Sequence, residues 1–325
     1  MYTEFDVIKY FFNKKNKKNI RYTANIGIGD DGAVLTIPKK QQLVVTTDSL
    51  VENTHFFSNI KPEYLAHKSL CVNLSDLAAM GAHPTWISLA ITLPKINHIW
   101  LKKFSNTLFK LLNFYKIQLI GGDTTKGPMS LTYTAYGFVP YGKALTRSGA
   151  MHNDKIYITG PLGDSAVGLL LLDKKIYIKN KHDYNFFIKK HLKPDPKILH
   201  GIIIRSIASS NIDISDGLYS DLSHILNKSN CGAEIQLDLI PLSKSIKKQI
   251  SKKNIFELAV SGGEDYELCF TVPKKKQKKL EILLKKNNLK AFCIGKINKN
   301  FRTIKFFYKK KQLLLNINKF EHFNQ

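Results

Sequence analysis

Residues 27–35 read Gly-Ile-Gly-Asp-Asp-Gly-Ala-Val-Leu, and glycines 27, 29 and 32 satisfy the GxGxxG spacing of a nucleotide loop, even the GxGxxGxV of a protein kinase. The neighbouring residues separate the possibilities. A dinucleotide loop opens a helix, whereas residues 33–38, AVLTIP, read as a strand. Asp30 and Asp31 at the loop tip would repel a bare phosphate. The chain carries no HRD, DFG or GxxxxGK[ST] motif, so the kinase and P-loop readings fall as well. Two readings stay open: a plain acidic turn, or carboxylates meant for a divalent metal that stands between protein and phosphate.

Outward from this loop, strands and helices alternate. QLVVTTD (42–48) reads as a strand ending in Asp48. From Pro62, apolar residues at 65, 66, 70, 74, 77 and 78 keep helical spacing up to Gly81. Asp76 and Asn73 lie three residues apart in the most apolar half of that helix. WISLAITLP reads as a strand, 98–114 as a helix, IQLI as a strand running into a Gly121-Gly122-Asp123 turn, and 130–139 as another strand. The pattern restarts after Arg147–Asp154. It continues with strand DKIYITG, helices over 163–173 and 194–208, strand NIDIS, a helix from Asp216-Gly217 to about Ser229, strands AEIQLDL and YELCFTV, and a lysine-rich helix between Lys274 and Asn288. This is an α/β (mixed α+β) chain of two domains, 1–148 and 149–325, joined at the SGAMHND loop.

The 325 residues carry 50 Lys+Arg against 25 Asp+Glu, a formal charge of +25 that invites a nucleic-acid reading. The composition points elsewhere. Only four of the basic residues are arginines (Arg21, Arg147, Arg205, Arg302), against 24 asparagines in the chain, and base or phosphate recognition favours arginine's planar fork. The lysine runs read as solvated surface, so no specific nucleic-acid partner is expected. No apolar run approaches the roughly 18 residues of a membrane helix. Residues 1–20 lack the apolar core and cleavage site of a secretory leader. Cys71, Cys231, Cys269 and Cys293 show no metal or disulfide spacing, which suits a reducing cytoplasm.

The scarce acidic residues are more telling. Asp30, Asp31, Asp48, Asp76, Asp123, Asp213 and Asp216 sit in Gly/Ser/Thr-rich or apolar contexts rather than on lysine-rich faces. Thr46-Thr47-Asp48 at a strand end offers hard oxygen donors suited to magnesium, and equally a polar strand cap. Paired glycines before Asp123 let backbone approach a phosphate. Asp213-Ile214-Ser215-Asp216-Gly217 alternates carboxylates about a hydroxyl at a helix entrance, where an N-cap is also at home. Ser261-Gly262-Gly263-Glu264-Asp265 precedes a strand, and Arg147 stands out because arginine is rare. No Ser-His-Asp or Cys-His set can be assembled, and His55 comes after the polar loop VENT alone. Each signal is weak, but five acidic motifs in one chain together suggest metal-assisted phosphate chemistry.

Taken in order, GIGDDGAVL, TTDSL, NLSDLAAMGAHP, GGDTTKGP, LTRSGA, DISDGL and SGGEDYEL resemble the thiamine-monophosphate kinase family, within the superfamily of aminoimidazole ribonucleotide synthetase-like ATP-using enzymes. The resemblance runs nearly the length of the chain, to FEHF near its C-terminus. It implies a two-domain fold: an N-terminal α/β domain that binds ATP and magnesium and pairs with its twin in a homodimer, and a C-terminal α/β domain that closes over the nucleotide. It implies several Mg²⁺ ions at Asp31, Thr46, Thr47, Asp48, Asp76, Asp123, Asp213 and Asp216. It implies ATP contacts at Gly122, Asp123, Arg147 and Ser215, and thiamine phosphate contacts at His55, Glu264 and Phe320. Here Phe320 replaces the usual Tyr or Trp and stands after Lys319 where glycine is usual.

The activity implied is ATP-dependent phosphorylation of thiamine phosphate to thiamine diphosphate in the cytoplasm. The attacking phosphate oxygen is already ionised, so no residue nucleophile or base is expected. A related synthetase using another acceptor is the alternative enzyme. A basic nucleic-acid binder with merely structural carboxylates is the alternative from another class; it predicts steeply salt-dependent binding to arbitrary DNA or RNA.

Overall fold

The computed structural model describes residues 3–13 and 23–315; Phe320 and the lysine run beginning at Lys14 lie outside the described residues. The chain forms two compact units, one of Met1–Leu77 with Ala82–Gly142, the other of Ala78–Gly81 with Lys143–Gln325.

The first unit begins with a short helix, α1 (Glu4–Val7), capped reciprocally by Thr3 and Asp6 and continued by a wider π-turn over Ile8–Asn13. Next come β1 (Gln41–Val51), α2 (Pro62–Ala79), β2 (His83–Leu93), α3 (His98–Tyr115), β3 (Gln118–Lys126) and β4 (Ser130–Pro140). The strands form a sheet in the order β1-β4-β2-β3, in which only β2 and β3 run parallel. α2 buries Leu65, Leu70, Leu74 and Leu77 completely, each side chain worth about 1.5–3 kcal/mol of hydrophobic stabilisation. α3 starts at an Asn97 cap and stops at Lys116 in the left-handed region.

Two local expectations are overturned. Residues 33–38 are not a strand: among them only Val34 pairs, in an isolated bridge to Ile26, and no neighbouring segment continues a ladder beyond it. Gly121-Gly122-Asp123 is not a turn but the middle of β3, hydrogen-bonded alongside β2. The glycine is required there, since a Cβ on Gly122 would sit 1.8 Å from the Leu89 carbonyl oxygen.

The second unit contains β5 (Lys155–Ile158), α4 (Asp164–Leu172), α5 (Lys181–Leu192), α6 (Ile198–Ile204), β6 (Ser210–Asp213), α7 (Leu218–Ser229) and β7 (Gly232–Gln236). It goes on through α8 (Lys244–Gln249), α9 (Lys252–Ser261), β8 (Leu268–Val272), α10 (Gln277–Lys286), β9 (Phe292–Asn298), β10 (Ile304–Tyr308) and β11 (Lys311–Leu313). Its mixed sheet runs β11-β10-β7-β9-β5-β8-β6. The helix expected over 194–208 shrinks to α6, because Pro194 and Pro196 disfavour helical backbone at the residues before them. β8, near the sheet's β6 edge, is buried along its whole length, with Leu268, Phe270 and Val272 packed against Tyr157, Ile204 and Leu280. Among the described residues no helix is long and apolar enough to cross a membrane, and all four cysteines are free.

Candidate active site

Alternation along β1 sorts its polar residues. Thr46 and Asp48 share the face that holds Val44 and Leu50 in the core, while Thr47 points the other way. α2 covers the first face: the Thr46 hydroxyl donates to Asp76 Oδ2, and Asp48 and Asp76 are neighbours. Burial, reinforced by the charge of Asp76, pushes the Asp48 carboxyl up to about 7. Two half-buried carboxylates and a hydroxyl are hard oxygen donors, and a divalent cation between them would relieve their repulsion. On the opposite, open face Thr47 Oγ1 lies 3.0 Å from Thr134 Oγ1, so its hydroxyl does not join the Asp48 group.

A second acidic centre lies at the other edge of the sheet. The 27–35 loop and the Gly121–Thr124 stretch of β3 wall a cavity of about 640 Å³. Asp30, Asp31 and Asp123 line it together with glycines 27, 29, 32, 121 and 122, and Phe5, Ile8 and Phe12 form an apolar side. The loop is held by Asn25 N–H to the Val34 carbonyl (2.8 Å) and Ala24 N–H to Gln118 Oε1 (2.8 Å); Gly29 takes a φ of +121°. Register fixes how this cavity relates to the first centre. Asp48 pairs with Tyr133, whereas Asp123 pairs with Ala90, which pairs with Thr132. Neighbours on β4 face opposite ways, so Asp48 and Asp123 occupy opposite faces as well as opposite edges, three strand spacings or about 14 Å apart. One chain therefore brings together Thr46, Asp48 and Asp76, and separately Asp31, Gly122 and Asp123, but not all six.

His55 closes a turn after β1. Its Nδ1 accepts the Val51 N–H at 3.0 Å, which leaves the proton of the neutral ring on Nε2, and its carbonyl accepts from the buried Lys68 ammonium at 3.3 Å.

In the second unit β6 ends at the buried Asp213, and the next loop carries Ser215 and the exposed Asp216 into α7. The Ser215 carbonyl accepts the Glu264 N–H at 2.7 Å and the Ile214 carbonyl the Tyr266 N–H at 2.9 Å, which ties DISDG to SGGEDYE as the sequence order alone could not. Asp221 was missed from sequence. It is 2% exposed, accepts the Asp216 N–H at 3.0 Å, and is raised to about 8 by burial and then by the charges of Asp213 and Asp216. An acidic residue in the first turn of α7 was the available signal. Arg147 is exposed in a turn where Thr146 Oγ1 donates to the Ser148 carbonyl at 3.0 Å. Among the described residues no three His, Cys, Asp or Glu side chains converge into a ready metal cage. Magnesium is commonly bound by one or two carboxylates completed by substrate phosphates, and the pairs seen here are of that kind.

Residues 29–139 match the family described as AIR synthase related protein, N-terminal domain, and residues 152–305 its C-terminal domain. A thiamine-monophosphate kinase of Buchnera aphidicola (subsp. Schizaphis graminum) is 50% identical over 99% of both chains, and that of Escherichia coli K12 is 47% identical over 98% of both. Among solved structures, the thiamine-monophosphate kinase of Stenotrophomonas maltophilia superposes with a TM-score of 0.83 at 37% identity, covering 90% of this chain and 93% of that one. AaThiL complexed with AMPPCP and TMP gives 0.77 at 30% identity, covering 91% and 92%. The hydrogenase maturation protein HypE in complex with ATP shares the fold at 16% identity, with a TM-score of 0.76 over 98% of this chain and 95% of that one.

Proposed function

The chain belongs to the thiamine-monophosphate kinase family of AIR synthase related proteins, and from that membership we infer how its own residues serve the reaction. The enzyme transfers the γ-phosphoryl group of ATP to the phosphate of thiamine phosphate, giving thiamine diphosphate and ADP. The observation that carries the residue-level reading is the glycine- and aspartate-walled cavity at β3, where bare backbone and carboxylates meet.

Both reactants are polyanions. Two unit charges 4 Å apart repel by about 4 kcal/mol at an effective dielectric of 20, so the site must neutralise several such pairs. Magnesium, when bound, would supply the positive charge that offsets this repulsion. The residues that would hold it are Thr46, Asp48 and Asp76 at one edge of the first sheet, Asp31 and Asp123 at the other, and Asp213 and Asp216 in the second unit. The raised carboxyl of Asp48 supports this assignment, because a buried acidic pair gains most from a cation. The Thr47 hydroxyl is left out, since it faces the opposite side of β1. Gly122 admits a phosphate close to the backbone of β3, and Arg147 and Ser215 are assigned to ATP. His55 presents Nε2, and Glu264 a carboxylate suited to the thiazolium cation, toward thiamine phosphate. Phe320 keeps its assigned stacking role from sequence. No side chain needs to act as base, because the acceptor oxygen is ionised; catalysis is positioning and neutralisation.

The working unit is a homodimer in the cytoplasm. The open face of the four-stranded sheet supports pairing: Val45 and Val51 stand exposed on it, and Ile26 and Val34 of the neighbouring segment are exposed too. A second copy laid on that face lies on the side of the β3 cavity, while the β1 acidic centre stays under α2 on the other face. The direct test is product analysis after incubation with Mg-ATP and thiamine phosphate. Thiamine diphosphate and ADP are expected in equal amounts, with reversible loss in excess chelator; full turnover in chelator, or no thiamine diphosphate, contradicts the reading.

A further inference from the structure

Glu264 occupies a constrained position. Its φ is +63° and that of Tyr266 is +50°, left-handed values that non-glycine residues adopt only when their surroundings enforce them. The enforcement is visible in the hydrogen bonds from Glu264 N–H and Tyr266 N–H to the 214–215 backbone, and in Gly263, where a Cβ would lie 2.5 Å from the Ser215 carbonyl oxygen. The backbone is thus fixed, and the Glu264 side chain is reached from another element.

That partner comes from α5. His191 is 3% exposed, and its Nδ1 lies 3.1 Å from Glu264 Oε2 and 3.2 Å from Ser165 Oγ. An ionised carboxylate can only accept, so Nδ1 carries the proton in the bond to Glu264. The ring is held firmly. Gly168 of α4 lets α5 approach so closely that a Cβ there would meet the Phe187 carbonyl oxygen at 2.3 Å and His191 Cβ at 2.8 Å. Ser165 is fixed in turn, because Asp265, next to Glu264, accepts the Gly163 N–H (2.6 Å) and the Ser165 N–H (3.1 Å) at the start of α4.

We propose that His191 is a positioning residue for the acceptor: anchored between Ser165 and Glu264, it aims the Glu264 carboxylate at the cationic part of thiamine phosphate. The inference rests on the assignment of Glu264 to the acceptor and goes beyond it, since His191 is buried and acts only through that carboxylate. It sets the specificity of the acceptor end and leaves the ATP end alone.

The test is steady-state kinetics of the full-length enzyme, each substrate varied in turn, for His191→Leu, His191→Asn, Glu264→Gln and the double variant His191→Leu/Glu264→Gln, with melting curves alongside. Losing a hydrogen bond to a charged group should raise the KM for thiamine phosphate by about tenfold or more in His191→Leu, with the KM for ATP within about twofold of wild type. Asparagine keeps an N–H near the position of Nδ1 and should restore most of the acceptor affinity. The double variant should match Glu264→Gln alone, because the charge that His191 aims at the cation is already gone. An unchanged acceptor KM in His191→Leu, a parallel rise in both KM values, or multiplying effects in the double variant overturns the inference and leaves Glu264 in place. An unchanged acceptor KM in Glu264→Gln overturns the assignment of Glu264, and the inference with it. If leucine lowers the melting temperature sharply, the comparison passes to His191→Asn against His191→Gln. The longer amide misplaces the donor, so a raised acceptor KM only in His191→Gln supports the inference and equal kinetics of the two overturn it.

Discussion

The two edge strands of the four-stranded sheet carry the same chemical group in opposite physical settings. On β1, Asp48 is half-buried under α2 beside Asp76, and burial with that neighbour drives its carboxyl up to about 7. On β3, Asp123 is exposed at the rim of a glycine-walled cavity, on the face that α2 does not cover. The buried pair is electrostatically loaded and gains from a cation. The exposed group gains nothing from burial, and its neighbour Gly122 is required by the close approach of the β2 backbone at Leu89. The acidic residues of the first unit therefore form two separate groups rather than one preassembled cluster.

The strongest challenge to this contrast is to remove charge at either edge. Asp48→Asn, Asp76→Asn and Asp123→Asn each keep shape and remove a hard ligand. Each should lower kcat by about a hundredfold or more, the scale seen when one preorganised electrostatic contact to a transition state is lost, with melting temperature near wild type. If only one edge responds, the carboxylates of the other serve the fold alone.

A second change probes the β3 side. Gly122→Ala places a methyl group 1.8 Å from the original position of the Leu89 carbonyl oxygen, so β3 must move. Stability should fall by about 2 kcal/mol or more by denaturant titration, and the KM for ATP should rise by about tenfold. An alanine variant with unaltered ATP kinetics would show that the close backbone approach is structural only.

The mildest outcome belongs to Thr47. Its hydroxyl meets Thr134 on the open face, so Thr47→Val should cost under about 1 kcal/mol and leave turnover within about twofold of wild type. A hundredfold loss there would mean that the faces have been assigned wrongly.

Much of the fold and of the site is legible in the residues because periodicity and motif chemistry are local. β1, α2, β2, α3 and β4 emerge from spacing, and TTD, GGD, DISDG and SGGED mark the stretches where acidic groups gather. What is not legible is what depends on distant partners. α5 escapes because Phe186, Phe187 and Ile188 run together among lysines and blur the helical period, although Asn180 caps it by accepting the Asp183 N–H. Residues 33–38 look like a strand, but only Val34 finds a β partner, and which segments pair is not written in any window. The same order separates Asp48 from Asp123, which sequence alone allows to be neighbours. His191 is a lone histidine in a lysine-rich helix until Gly168 brings that helix against α4.

The decisive measurement is a complementation assay between Asp48→Asn and Asp123→Asn, co-expressed with different tags and purified as the heterodimer. The β1 centre lies under α2, on the face turned away from a partner laid on the open face, so each copy carries one lesion that its partner does not repair. A heterodimer as inactive as its two parents is then expected. About half the wild-type turnover per dimer would contradict the assignment of faces, because it needs the β1 centre of one copy to complete the β3 cavity of the other.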